Sequence, residues 1–486
     1  MRRTGYAINS NTACYMMAWR KFPVSGQHKT HAFCRGIASR TAITLGVLTI
    51  GVAAVNAQSI DQTMDLALRS SLSVKADNER QAGAEARLRG SVEAFLPSVA
   101  YVNERILSSR ISYSPDYTIP DAAGLDTVAR REPNAQGFQA SMPLFDGFLR
   151  YNKFRSASVG VQAGKYLQLD AQQQAYLDAA NGHLAIIRDR RILELRRRQV
   201  ADISKIVERT KVRLSLRDVT QTDVDISRSR LLQAQADVEQ AQADLQASEV
   251  EYKRITGIRP GAMPPPRVPF ASVPTSIAEL EYAVVASNAQ LNASRLGVAA
   301  ARYDAHSKLS EVMPKVNLSM SSLEQTSVSA ALNRVRDDTV KVQMRVPIYE
   351  PGALSDISEA AALARQRSWE HADNQKRGVA KATGLYIKYQ ATRDLIKQAD
   401  ARVKAMQGAV DGAVVERAAG FRTVIDTLNI QNELSETEVA RVNLEFARDS
   451  LVFTLAATLS RLGPDHRSSP ASTQALRKPP GAGSRS

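Results

Sequence analysis

Two long stretches without proline limit the folds that are open to this chain. They cover residues 144–259 and 352–463, which are 116 and 112 residues. Both are rich in Gln, Ala, Arg, Leu, Asp and Glu, most of which favour helix, and neither contains the residue that most strongly breaks one. Each stretch has one weak interruption, at 214–220 and at 420–423. We therefore predict two antiparallel helical hairpins, and the first arm, residues 147–214, would extend ~100 Å.

The second arm of the first hairpin has a stripe of apolar and small residues that are spaced alternately three and four apart. Its members are Leu231, Ala234, Val238, Ala241, Leu245, Ser248, Tyr252 and Ile255. Such a heptad stripe is typical of closely packed helix pairs. By itself it favours any coiled-coil protein, including a fibre or an adaptor.

The first 57 residues differ from the rest of the chain. They contain seven Lys or Arg and no Asp or Glu, and they end in an apolar run at 41–55 followed by small residues. This pattern is typical of a secretory signal, and we expect cleavage after Ala57. A membrane anchor is the alternative, although the run is shorter than the ~20 residues that a spanning helix needs. A later start, at Met16 or Met17, is also open.

Cysteine and charge exclude several kinds of protein. Cys14 and Cys34 both fall in the leader, so we expect no disulfide and no thiol chemistry after cleavage. Gln58 stands where a lipoprotein would have its lipid-bearing cysteine. Without the leader the chain carries +8, spread through helices of mixed sign, so we expect no nucleic-acid partner.

The sequence contains an internal repeat of about two hundred residues, which divides it into similar halves. Three pairs of positions match: Pro97 with Pro314, Pro143 with Pro347, and Asp223 with Asp426. Each half reads helix, strand, strand, long helix, turn and helix. We divide the chain into a leader (1–57), a first half (58–260), a proline-rich linker (261–274), a second half (275–463) and a disordered tail (464–486).

Two short segments alternate apolar and polar residues. In one, Val340, Val342 and Met344 alternate with Lys341, Gln343 and Arg345, and residues 315–320 show the same period. An ordinary half-buried strand has this period too, but after an export signal it favours transmembrane strands with an apolar face toward lipid. Three cations would then face a barrel lumen: Lys315, Lys341 and Arg345. Four strands are too few for such a barrel and leave unpaired edges, so several chains must contribute.

We predict no catalytic, cofactor or metal site, and hence no enzyme. The segment GVQAGK at 160–165 is one residue short of a phosphate loop, lacks the following Ser or Thr, and lies in helical sequence. The histidines His183, His306 and His371 are scattered without the spacing of metal ligands. We interpret all three as structural or exposed.

Two aspartates at the helix turns allow two interpretations. Asp223 follows Thr220, and Asp426 follows Thr423, by three positions. This is the spacing of a helix capping box, and the helix dipole also favours the acid there. Capping explains both aspartates without a gate, and a pore-lining role remains open for Asp426.

In the order of its repeated parts, the chain resembles the TolC-type outer membrane efflux and secretion channel family over residues 59–462. The motifs that carry the resemblance are AFLPSV at the end of the entry helix, SMPLFDG and VPIYEPG at strand ends, TDV and TVIDTL at the turns, and YKRITG and LSRLG at the ends of the halves. Their order, duplication and spacing make it specific. It implies a mainly α fold with a small transmembrane β part: a homotrimer with a twelve-stranded barrel, four strands per chain, continued by a long periplasmic α-helical barrel.

The resemblance also implies where the chain enters and leaves the membrane. Pro143 and Pro347 would mark the points where a strand ends and the chain turns into a periplasmic helix, since proline has no N–H for the sheet. The loop-like segment at 108–136 would lie outside the cell.

Site residues at the periplasmic tip follow from the same resemblance. The candidate constriction residues are Asp426, Asn429, Arg422 and Arg417. Asp426 matches an aspartate that forms a constricting ring in the trimer, and Arg422 matches a nearby arginine. Asn429 stands where a second aspartate is expected and Arg417 where a gating tyrosine is expected, so cation selectivity is open. Arg217 in the first turn corresponds to Gly420 in the second, which leaves open a difference in turn shape.

The function implied is that of an outer membrane channel that extends into the periplasm. It would export proteins by type I secretion, small molecules, or both, with an inner-membrane transporter (ABC or proton-driven) and a periplasmic adaptor. The missing lipid-anchor cysteine favours the protein-secretion type. The alternatives are a periplasmic coiled-coil adaptor, which needs a β-rich domain that the sequence lacks, and a structural component without a pore, which leaves the strands unexplained.

Overall fold

The structure, a computed structural model, describes residues 58–107, 109–112, 128–131, 134–326 and 334–463. The predicted leader (1–57) and tail (464–486) lie outside the described residues, as does most of the predicted external loop at 108–136. Within the described ranges the chain forms eight α-helices and six strands.

The two halves contain similar elements in the same order. The first half has α1 (Ile60–Ser70), α2 (Leu72–Glu93), β1 (Ser98–Arg105), β2 (Ser109–Ser112), β3 (Val128–Arg131), β4 (Asn134–Phe145), α3 (Leu149–Ser215) and α4 (Gln221–Thr256). The second half has α5 (Ile277–Ser287), α6 (Ala289–Lys308), β5 (Lys315–Thr326), β6 (Arg334–Arg345), α7 (Ala353–Ala418) and α8 (Val424–Thr458). Short 3-10 helices lie at Phe270–Ser272 and Leu309–Val312. The first half differs in having the extra strand pair β2 and β3.

The long helices form the two predicted hairpins. Helices α3 and α7 have 67 and 66 residues, and α4 and α8 have 36 and 35. Helix α3 packs against α4, and α7 packs against α8. The predicted stripe of α4 faces inward, because Ala234, Ala241 and Tyr252 are buried. No helix in the described ranges is both long enough and apolar enough to span a bilayer.

Three small apolar clusters hold the helices together. One joins α1, α3 and the end of α8 around Met64, Ala180 and Phe453. A second joins α5, α7 and α8 around Leu280 and Tyr386. The third lies nearer the helix turns, and its members are Ile203, Ile206, Val207, Ala234, Val424 and Leu428. Apolar burial is therefore spread along the helices rather than gathered in one centre.

The main sheet is antiparallel, in the order β1-β4-β5-β6, while β2 and β3 pair with each other. Its register aligns one row of mostly apolar residues across all four strands: Val99, Ala140, Met320 and Val340. The neighbouring row on that face contains Met142, Leu318 and Val342. Because side chains alternate along a strand, the residues between these rows point to the other face. The outer strands β1 and β6 each have one partner in the sheet.

One of the two prolines predicted to mark strand ends lies inside a strand instead. Pro347 lies two residues beyond the end of β6, as expected, but Pro143 lies inside β4 and pairs with Asn317. The register shifts between Pro143 and Phe145, and pairing of β4 with β1 has already stopped at Ser141. Strand β4 thus has a neighbour on one side only at this point, so a residue without an N–H is tolerated there.

Candidate functional site at the helix turns and strand ends

Both helix turns have a complete capping box. The Asp223 backbone N–H donates to Thr220 Oγ1 (3.2 Å), and the Thr220 backbone N–H donates to Asp223 Oδ2 (2.9 Å). The same two bonds join Asp426 and Thr423, at 3.1 Å and 3.3 Å. The backbone and side chain of Thr220 lower the pKa of Asp223, and the side chain and backbone of Thr423 lower that of Asp426. The capping interpretation is confirmed for both, and both carboxyls are charged at neutral pH.

The two turns also have the same backbone shape, although the sequence left a difference open. Arg217 and Gly420 are both left-handed, with φ of 58° and 83°. Each follows a helix C-cap and is part of a Schellman motif: the Asp218 N–H donates to the Arg213 carbonyl (3.0 Å), and the Phe421 N–H donates to the Glu416 carbonyl (2.9 Å). Having Arg217 where the second turn has Gly420 therefore adds backbone strain to the first turn but leaves its shape unchanged.

An ion pair fastens each turn to the helix before it. Arg213 Nε lies 2.6 Å from Asp218 Oδ2 in the first turn. Arg422 Nε lies 2.7 Å from Glu416 Oε2 in the second. The candidate Arg422 is thus engaged with its own protomer, close to the exposed Asp426.

The other two constriction candidates lie in different surroundings. Asn429 is exposed on α8, and its Oδ1 accepts a hydrogen bond from Arg230 of α4 (3.3 Å). Arg417 is in the last turn of α7 and is only 8% exposed. The structure therefore places Asp426, Arg422 and Asn429 at the surface near the second turn, whereas Arg417 is buried.

The three predicted lumen cations lie on one face of the sheet. Lys315 of β5 pairs with Arg345 of β6, and four positions along the two strands Ser319 pairs with Lys341. An even spacing along a strand keeps side chains on the same face. The opposite face presents Val340 and Met344, which are 67% and 64% exposed. The apolar and charged faces predicted from the alternation are confirmed, and the lumen role remains a prediction.

Arg150, in the first turn of α3, joins three elements where β4 leads into that helix. Its Nε lies 2.7 Å from Asp146 Oδ2, and its guanidinium donates to the carbonyls of Pro143 (2.5 Å) and Ala94 (3.3 Å). The side chains of Arg150 and Asp146 are only 12% and 17% exposed. Arg150 is not among the site residues predicted from the sequence. The signal was available, because the helix dipole disfavours a cation in a first turn, so an arginine there indicates a specific contact.

Two of the three histidines take structural positions, and His306 is exposed on α6. His183 Nδ1 lies 3.1 Å from Thr63 Oγ1, which in turn lies 3.1 Å from the Tyr252 hydroxyl, and all three side chains are buried. Burial lowers the pKa of His183 to about 4, so its ring is neutral at pH 7. His371 contacts Ser294 (2.7 Å). Among the described residues, no group of three His, Cys, Asp or Glu side chains is arranged to hold a metal ion.

The chain is similar in sequence to a known outer membrane protein. The chain is 24% identical over 356 residues to the outer membrane efflux protein BepC of Brucella suis biovar 1 (strain 1330), covering 71% of this chain and 76% of BepC. No protein-family model matches the chain.

Solved structures match the fold over most of the chain. CusC superposes with a TM-score of 0.72 at 14% identity, over 83% of this chain and 92% of CusC. The outer membrane channel OprN gives 0.71 at 14%, over 83% and 90%. The outer membrane protein VceC of Vibrio cholerae gives 0.70 at 16%, over 83% and 96%. The chain therefore has the fold of the TolC-type outer membrane channels, and the resemblance that its motifs indicated is confirmed.

Proposed function

We propose that the protein is an outer membrane efflux channel made of three copies of this chain. It lies in the outer membrane and extends into the periplasm, as the channels that it resembles do. Each copy contributes four strands to a closed twelve-stranded barrel and two helical hairpins to a tunnel below it. The channel conducts cargo and does not transform it.

One observation carries this proposal: the sheet has an exposed apolar face, a charged face and two open edges. The apolar row that contains Val99 and Val340 would be unfavourable in water and suits lipid. An open strand edge inside lipid would leave backbone groups without partners. Pairing β6 of one copy with β1 of the next removes every edge and turns Lys315, Lys341 and Arg345 toward a wet interior.

The helices supply the periplasmic part. A helix of 67 residues, such as α3, is ~100 Å long, far more than a globular domain requires. A tunnel of that length can reach a periplasmic adaptor and an inner-membrane transporter, which we propose as its partners. The name of BepC favours efflux, whereas the missing lipid-anchor cysteine favours protein secretion, so we propose an exporter that serves either class of cargo.

The narrow point of the proposed pore is the second helix turn. Asp426 is exposed and charged there, and three copies would place three carboxylates around the axis. The carboxylates of such a ring attract cations and repel one another, so they set both the ion preference of the pore and its tendency to open. Asn429 adds no charge to it.

Single-channel conductance in a planar lipid bilayer tests this function. Purified trimers should give discrete current steps with a preference for cations. Asp426→Ala should change the step size or reduce that preference. Asp223→Ala is a matched control because it removes an equivalent capping box from the other turn, and its current steps should equal those of the natural chain.

Two results would oppose the proposal in different ways. Folded trimers that give no steps would remove the pore itself. Equal changes in Asp426→Ala and Asp223→Ala would keep the pore but reduce Asp426 to a helix cap.

A further inference from the structure

A cavity of about 610 Å³ lies beside the helix turns, between α3 and α7. Arginines and small apolar side chains line most of it: Arg209, Val212 and Arg213 from α3, Val414, Arg417 and Ala418 from α7, and Val424 at the start of α8. All of these residues belong to one chain. Each protomer therefore contains all the residues that line the cavity.

Arg417 is the exceptional residue of this cavity. Only 8% of it is exposed, and no hydrogen bond or ion pair of its guanidinium is found among the described residues. Arg422, five positions on, has Glu416 as a partner at 2.7 Å. The Arg417 guanidinium lines the open cavity without a protein acceptor, so its N–H donors are available to an anion that the single chain does not supply.

The charges around Arg417 also favour an anion in this cavity. Burial lowers the pKa of Arg417, and the positive charges of Arg209 and Arg213 lower it further, yet a guanidinium stays charged in proteins. The carboxylates that line the cavity are already engaged. Asp218 binds Arg213 (2.6 Å), and Glu208 binds Lys211 (2.7 Å). The cavity therefore has an excess of positive charge.

Volume and walls decide what kind of anion fits. A cavity of about 610 Å³ has the size of a small-molecule site. Val212, Val414, Ala418 and Val424 form apolar walls next to the arginines. An inorganic anion or a single acidic side chain would pair with Arg417 but leave these walls uncovered. An anion on an apolar body would satisfy both.

We propose that this tip cavity binds an organic anion, a carboxylate or sulfonate on an apolar ring or chain, with Arg417 as its principal charged contact. The ligand touches both α3 and α7, so it ties the two helical hairpins together close to their turns. The site requires neither a pore nor a trimer, and its test is independent of the conductance experiment.

Isothermal titration calorimetry with two matched probes tests the site. The probes are 2-naphthalenesulfonate and 2-naphthalenemethanol, which share a ring system and differ in charge. Purified protein in a non-ionic detergent should bind the sulfonate at one site per chain and the neutral alcohol at least tenfold more weakly. The sulfonate should also raise the midpoint of thermal unfolding, because it binds the folded form.

Two variants of Arg417 and one control variant test whether Arg417 binds the sulfonate. Arg417→Gln should weaken sulfonate binding about tenfold or more, since a hydrogen bond to a charged group is lost. Arg417→Lys keeps the charge but loses the planar fork of donors, so it should show a smaller loss of sulfonate binding. Arg402→Gln is the control, because Arg402 is exposed on the same helix, pairs with Glu433 (3.1 Å) and lies outside the cavity. Its binding should match that of the natural chain.

The proposal fails if the folded protein does not bind the sulfonate. It also fails if the alcohol binds as tightly as the sulfonate, or if Arg417→Gln and Arg417→Lys bind as the natural chain does.

Discussion

The two halves have matching helices but different side chains where their first helices pack on the long ones. Thr63 of α1 and Leu280 of α5 are each the fourth residue of their helix, and Tyr252 of α4 and Leu455 of α8 are each the thirty-second. All four are buried. The first half thus has a hydrogen-bonded polar cluster with His183, whereas the second is apolar at both matching positions. One backbone accommodates both, but only the polar cluster depends on the protonation of a side chain.

A second difference lies at the junctions between strand and long helix. Arg150 and Leu354 are each the second residue of their helix, α3 and α7. Arg150 is almost enclosed and binds three elements, whereas Leu354 is 77% exposed and follows the exposed Ile348 and Tyr349. The first junction is thus stabilised from within the chain. The second presents apolar side chains that, in the proposed trimer, a neighbouring copy or lipid would cover.

Breaking the first junction should have the largest effect on stability. Arg150→Ala leaves Asp146 buried without its cation, so we expect the free energy of unfolding to fall by about 3 kcal/mol. Leu354→Ala, at the matching place in the second half, should change it by less than about 0.5 kcal/mol. Urea unfolding of the protein in detergent, followed by far-ultraviolet circular dichroism, measures both. If Arg150→Ala also changed the free energy of unfolding by less than about 0.5 kcal/mol, Arg150 would be an ordinary surface residue.

The polar cluster predicts a dependence on pH that belongs to the first half. The ordinary pKa of histidine is ~6.5, and that of His183 in the folded chain is about 4. Between these values the unfolded chain binds more protons than the folded one. The free energy of unfolding is therefore greatest above pH 6.5 and decreases as the pH is lowered toward 4. The loss from pH 7.5 to 5 should be about 2 kcal/mol.

Substitution of the histidines separates this effect from other titrations. His183→Gln should abolish most of the pH dependence in that window, even if it lowers stability at every pH. His371→Gln, in the second half, should keep the full dependence. An unchanged slope in His183→Gln would show that other groups cause the acid sensitivity.

Much of the fold could be predicted from the sequence because it depends on local pattern. The proline-free runs gave the hairpins, the spacing of Thr423 and Asp426 gave a capping box, and the alternation around Val342 gave the two faces of a strand. The cavity beside Arg417 could not be placed in this way, since its walls come from α3, α7 and α8. Arg150 was missed although Asp146 and Pro143 are near it in sequence, and only its partner Ala94 is distant. Pro143 was misplaced because its tolerance depends on where a neighbouring strand stops.

The two helix turns allow a further comparison of the halves, with the smallest expected effect on stability. Arg217 and Gly420 have the same left-handed conformation, which a side chain with a Cβ disfavours by about 1 kcal/mol. No hydrogen bond or ion pair of the Arg217 side chain is found among the described residues. Arg217→Gly should therefore raise the free energy of unfolding by about 1 kcal/mol, and Gly420→Ala should lower it by about as much. Thermal unfolding of the two variants would show midpoints shifted in opposite directions. A lower midpoint for Arg217→Gly would instead mean that the guanidinium makes a contact in the assembled protein, and the two turns would then be alike in shape but not in role.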